Sequence, residues 1–161
     1  MSYIDDNLMP EEIVIYRANL HWIIFVLPII VFILFFLPGA ANLAVAITNP
    51  ELQGMALFGG IVMLIGILPL VFTYITRVTS EFGLTNKRIL VKVGFIRRKS
   101  IEVLLTKVEG IQVEQGIIGR MLGFGSIVIT GTGGAKSPFR KISAPLEFRK
   151  SVQEQIARVQ E

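Results

Sequence analysis

The side chains of this chain able to engage a ligand are cationic and clustered. Arg97, Arg98 and Lys99 are consecutive, and Lys136, Arg140 and Lys141 flank a second segment. Such groups meet anionic lipid head groups or a protein partner, and each Lys or Arg held near an anionic leaflet contributes about 1 kcal/mol. The ordinary alternative for a charge run is a solvated face. Groups for bond-breaking chemistry are scarce. The chain has no cysteine and one histidine, His21, and its only aspartates are Asp5 and Asp6. Glu109 and Glu114 fall on a strand-like run and read as solvated. No catalytic residue, metal site or cofactor is expected.

Two glycine-rich segments resemble phosphate-binding loops without meeting their requirements. The run from Gly131 to Ser137 has Thr130 and Ala135 where a P-loop needs glycine, and Pro138 prevents a helix from following. It reads as a hairpin turn. Gly123-Phe124-Gly125 has Val128 in place of the third glycine of a dinucleotide fingerprint, and reads as a bend in a sheet. Nucleic acid is disfavoured as a partner, because stacking aromatics are not interleaved with the basic residues.

The elements that must hold the basic clusters follow from where charge is missing. No Lys, Arg, Asp or Glu occurs in the 33 residues between Arg17 and Glu51, or in the 25 between Glu51 and Arg77. A membrane span needs about 20 apolar residues. The expected organisation is an N-terminal tail over 1–19 and a transmembrane helical hairpin over 20–76. Its spans cover about 20–38 and 55–76, with a loop over 39–54. Pro28 predicts a kink near Leu27, and Pro38-Gly39 a stop. Ala56 and Gly60 form a small-xxx-small pair suited to close helix packing or to self-association. Arg17 and Arg77 flank the spans, and the loop between them lacks Lys and Arg. Basic flanks stay in the cytoplasm, so both termini are expected there and the loop outside. Trp22 and Tyr74 fall at the same expected interface.

Residues 77–161 hold 15 of the 16 Lys and Arg residues against seven glutamates, a net charge of +8. Alternation predicts strands over Arg88–Val93, Lys99–Leu105, Gly110–Gln115, Ser126–Thr130 and Phe139–Ser143. Ile117, Ile118, Met121 and Leu122 mark one or two helical turns. Phe148, Val152, Ile156 and Val159 form one apolar stripe of a C-terminal helix, with Pro145 at its first position.

The runs Phe82-Gly83-Leu84-Thr85-Asn86-Lys87-Arg88-Ile89 and Val93-Gly94-Phe95-Ile96-Arg97-Arg98-Lys99 resemble the opening hairpins of the bacterial pleckstrin-homology-like domain of the second type. The similarity is strongest over Val108–Gly116 and Gly119–Ile129. It covers about 78–158 and implies a bent antiparallel sheet or partial barrel of about seven strands, closed by the C-terminal helix. It carries over no catalytic or ligand residue. The resemblance and the spans together predict a multi-pass protein of a bacterial inner membrane with the PH-like domain, 77–161, in the cytoplasm. The expected role is a non-catalytic scaffold that docks on anionic lipid or a protein partner and forms homo-oligomers. The alternative is a transport or peptide-resistance component acting through oligomerised helices, although neither span carries a Lys, Arg, Asp or Glu to build a polar pathway.

Overall fold

The computed structural model describes residues 3–94, 99–134 and 136–160. The chain forms two units. One combines Met1–His21 with Arg77–Glu161, and the other is Trp22–Thr76.

In the second unit a 3-10 turn, Trp22–Phe25, leads into α2, Val26–Thr48. A second such turn, Pro50–Leu52, leads into α3, Gln53–Thr79, whose last residues belong to the first unit. Both helical stretches, Trp22–Thr48 and Gln53–Thr79, run 27 residues. At about 1.5 Å per residue each is about 40 Å long, enough to cross a hydrocarbon core of about 30 Å. Helix takes up most of the expected 39–54 loop. Pro38 does not stop α2 but lies inside it. Pro28 is the third residue of α2, in the first turn, where its missing N–H would have had no helical partner.

The two helices meet through glycines other than the expected pair. A Cβ on Gly59 would come within 2.7 Å of the Gly39 carbonyl oxygen, and one on Gly39 within 2.8 Å of the Gly59 oxygen. Gly66 lies under Phe35, where an added Cβ would be 3.1 Å from the phenylalanine Cβ. Only glycine permits so close an approach of backbones. Around Gly60, by contrast, an added Cβ would meet nothing within 4 Å. Ala56 is half-exposed. This pair was expected to serve close helix packing or self-association; within the hairpin the contact is made by Gly39, Gly59 and Gly66. One residue along a helix is a rotation of about 100°, which separates the two faces.

Among the described residues the first unit holds seven strands in two antiparallel sheets, in keeping with the bent sheet or partial barrel of about seven strands that the resemblance implied. The four-stranded sheet has the order β1-β2-β3-β4, with β1 at Val14–Ala18, β2 at Glu81–Thr85, β3 at Arg88–Val93 and β4 at Lys99–Leu104. After a turn at Leu105–Lys107 comes the three-stranded sheet, β5-β6-β7, at Val108–Glu114, Phe124–Gly131 and Lys136–Ser143. An isolated bridge between Leu20 and Ile142 joins β1's continuation to β7. α5, Pro145–Gln160, buries Phe148 and Val152. Ile156 is half-buried, Gln155 is buried, and Val159, expected on the apolar stripe, is 41% exposed.

The N-terminal segment is not a tail. α1, Tyr3–Asp6, lies on the four-stranded sheet, with buried Ile4 filling the space that a Cβ on Gly83 would need. The Glu81 carboxylate accepts hydrogen bonds from the Tyr3 and Ile4 N–H groups at 3.0 and 3.2 Å. Arg17, read from sequence as a topological flank, sits in β1 and pairs with Asp5. With α1 on one face and the core on the other, β2 and β3 are buried on both sides, which removes the usual apolar-polar alternation.

A buried ion pair locks this segment down. Arg88 donates from Nε and Nη2 to the two oxygens of Glu12, both at 2.9 Å. It also reaches Glu102 at 2.5 Å and the Asn7 carbonyl at 2.7 Å. Burial pushes the Glu12 carboxyl up, but hydrogen bonds from Arg88, the Met9 N–H and Thr85 outweigh this and hold it at about 2. Its folded value lies below the ordinary 4.5, so ionised Glu12 stabilises the fold above that pH, and the contribution is lost as pH falls toward 2. The contribution is on the order of 3 kcal/mol. Amide hydrogen exchange across β2 and β3 in the detergent-solubilised chain, corrected for intrinsic rates, should lose protection over that window. Unchanged protection would show that the pair contributes nothing.

Candidate docking surface

Strand register defines one end of the four-stranded sheet. Ala18 pairs with Phe82, Phe82 with Val91, and Val91 with Ile101. The next rungs toward this end are Glu81–Lys92–Ser100 and then Val93–Lys99. From this end the chain leaves β1 for His21 and Trp22, and here it comes back from α3 into β2. Lys99 therefore stands at the end of the sheet where the chain passes to and from its apolar helices. Lys99 is exposed; Lys92 is half-buried, its ammonium 4.8 Å from the centre of the Tyr3 ring.

The three-stranded sheet brings two more cations to the same exit. The His21 N–H donates to the Lys141 carbonyl at 2.8 Å, and the Ser143 N–H to the Asn19 carbonyl at 3.0 Å. Between the pairs Gly125–Ile142 and Ile127–Phe139 the register shifts, so Arg140 and Lys141 stand opposite the single residue Ser126. This is a bulge, which turns side chains out of the regular pleat. Lys141 takes φ 59°, and both cationic side chains are exposed. Lys99 lines a small hollow with Pro138 and Phe139, the residues just before Arg140. Phe139 is itself buried edge-on against Phe82. Among the described residues, no hydrogen bond or ion pair engages the side chains of Lys99, Arg140 or Lys141.

Three of the six basic residues singled out from sequence thus surround the chain's exit. Lys136 does not: it pairs with Thr130 at the opposite end of β7, beside the turn. Arg97 and Arg98 lie outside the described residues. His21, the one histidine, is buried in the domain and stacked on Phe124 with centroids 5.2 Å apart.

A left-handed conformation costs a non-glycine residue about 1 kcal/mol, so Lys141→Gly should melt at a higher temperature while removing one of the exposed cations at this end. A lower melting temperature would mean that the lysine side chain itself supports the bulge.

One surface escaped the sequence reading. In α4, Ile117–Leu122, the apolar residues point outward and Gly119 inward. A Cβ on Gly119 would lie 2.6 Å from the Phe124 carbonyl oxygen, so the helix rests on β6 by its glycine. The apolar spacing was visible, but nothing in it told inside from outside. An open groove beside α4 is lined by Val113, Glu114, Gln115, Gly116, Arg120, Ser126 and Leu146. Among the described residues, no group of three or more His, Asp or Glu stands where it could hold a metal ion.

A comparison with curated proteins finds no match. The family model described as bacterial PH domain matches residues 23–156. The match takes in both apolar helices and the domain from β2 into α5, and leaves β1 outside it. As it covers most of the chain and agrees with the two-sheet, seven-strand fold, the protein belongs to the bacterial PH domain family.

Proposed function

We propose that this protein is a non-catalytic, membrane-anchored docking module. Its two long helices span the membrane as a hairpin, its PH-like domain lies on the cytoplasmic side, and that domain settles on anionic lipid. One observation carries the reading: Lys99, Arg140 and Lys141 surround the end of the domain where the chain runs into the apolar helices. Anchoring confines those cations next to the leaflet, where each contributes about 1 kcal/mol, or about fivefold in lipid preference. Arg77 at the end of α3, with no Lys or Arg between the two helices, supports the orientation. Self-association is part of the proposal, supported by the open side of α3 at Gly60.

Native mass spectrometry of the detergent-extracted full chain, titrated with phosphatidylglycerol and with phosphatidylcholine, tests both parts. The native chain should retain the anionic lipid preferentially, and the triple variant Lys99→Gln, Arg140→Gln, Lys141→Gln should bind the two equally. Equal retention by the native chain would remove the docking reading. A monomer at every concentration would remove self-association.

A further inference from the structure

We propose that α4 is a lipid-dipping wedge, a second membrane contact made by the domain itself. The inference rests on the anchoring proposed above and goes beyond it, because it assigns leaflet contact to an apolar surface separate from the basic rim.

Ile117 and Met121 are 82% and 81% exposed, Ile118 64% and Leu122 40%, all on a helix of six residues. At about 100° per residue the four side chains cover an arc of about 140°. Leu146, 50% exposed, shares the adjoining groove with Arg120. Water is a poor neighbour for such a patch, and exposed apolar clusters mark membrane or protein contacts.

The helix is held firmly. Gly119 seats it on β6, Gly123 closes it in the left-handed conformation at φ 76°, and Gln115 donates from Nε2 to the Phe124 carbonyl at 3.0 Å. Phe124 in turn stacks on His21, the last residue before the first apolar helical stretch. The wedge is therefore tied to the point where the chain departs for its helices. The nearby acids are turned to protein donors. Glu114 accepts from Gln112 Nε2 at 3.2 Å, and Glu147 from the Tyr16 hydroxyl at 3.5 Å. Arg120 flanks the apolar arc, and its long stem lets the cation stay at head-group level while its neighbours go deeper.

The size of the patch favours lipid over a second copy. A stable protein interface buries about 800 Å² per partner, far more than four side chains on six residues can cover. A leaflet needs no surface of matching shape, and the anchor already holds it close.

The absence of native cysteine permits a direct test. Single variants Met121→Cys, Thr106→Cys and Leu64→Cys of the full chain are labelled with an environment-sensitive fluorophore in phosphatidylcholine–phosphatidylglycerol nanodiscs. Thr106 is exposed in the turn after β4, and Leu64 lies within α3. Lipids carrying a spin label at shallow depth should quench the Met121 position several-fold more than Thr106. Deep-labelled lipids should quench Leu64. Quenching at Leu64 with Met121 behaving like Thr106 overturns the wedge and leaves anchoring intact. No quenching at Leu64 removes anchoring, and the wedge with it. A blue shift at Met121 without lipid quenching, growing with the protein-to-lipid ratio, would show a second copy on this face and also overturn the proposal.

Discussion

Arg88→Met is expected to destabilise the PH-like domain by about 3–5 kcal/mol, the usual cost of removing one partner from a buried ion pair. The Glu12 carboxylate would keep its burial and lose both guanidinium hydrogen bonds. The Asn7 carbonyl and Glu102 would lose theirs as well. Domains of this kind have about 5–15 kcal/mol in total, so the loss would be a large share. The segment from α1 to β1 should open first, because Arg88 ties it to β3 through Glu12 and Asn7. Protease cleavage within residues 3–18, together with hydrogen exchange in β1, would report it. The double variant Glu12→Leu, Arg88→Met should recover much of the loss, since an apolar pair leaves no buried charge. Equal destabilisation by single and double variants would show that packing, not charge, holds the segment.

Gly59→Leu and Gly60→Leu should have opposite effects on the helical hairpin, though the residues are adjacent. At Gly59 the new Cβ meets the Gly39 carbonyl oxygen at 2.7 Å and the Leu43 nitrogen at 3.1 Å. Both atoms are backbone, so only separation of the helices relieves the clash, at a cost of about 1–3 kcal/mol or more. At Gly60 the side chain enters open space and gains about 1 kcal/mol of helix propensity. A disulfide reports the spacing. A Cβ on Gly66 would lie 3.1 Å from that of Phe35, a few tenths of an ångström inside the usual span of about 3.5–4.5 Å in a disulfide, so a small outward shift admits the bond. Phe35→Cys with Gly66→Cys should therefore cross-link readily within one chain. Adding Gly59→Leu should suppress the link and Gly60→Leu should leave it. If both suppress it, the two glycines share one interface. If Gly60→Leu lowers the oligomer mass while sparing the link, its face is the one that meets another copy.

Legibility differed element by element, for physical reasons. The two apolar helices were plain in the sequence, since 33 and 25 residues without Lys, Arg, Asp or Glu admit few other readings. Their ends were not. Proline is a strong stop by propensity, but Pro38 lies inside α2, which gives up one backbone hydrogen bond there and runs on to Thr48. Strands β4 and β5, polar on one face, were visible through their alternation. β1 was missed because its partner, β2, lies more than 60 residues away, and five residues under an acidic leader give no local sign of pairing.

The basic surface shows the same division. Arg140 and Lys141 could be singled out as adjacent cations, but only the bulge in β7 turns them outward beside the chain's exit. Lys136 had equal standing in sequence and ends at the other end of the strand. Sequence alone determined that the chain has two apolar helices and a basic β-rich domain in the bacterial PH domain manner, because hydropathy and strand period are local properties. Tertiary structure alone decided which glycines touch, which cations share an end and which face of α4 is bare. Those depend on the rotation of one helix against another and on pairing between distant strands, and neither is written in local spacing.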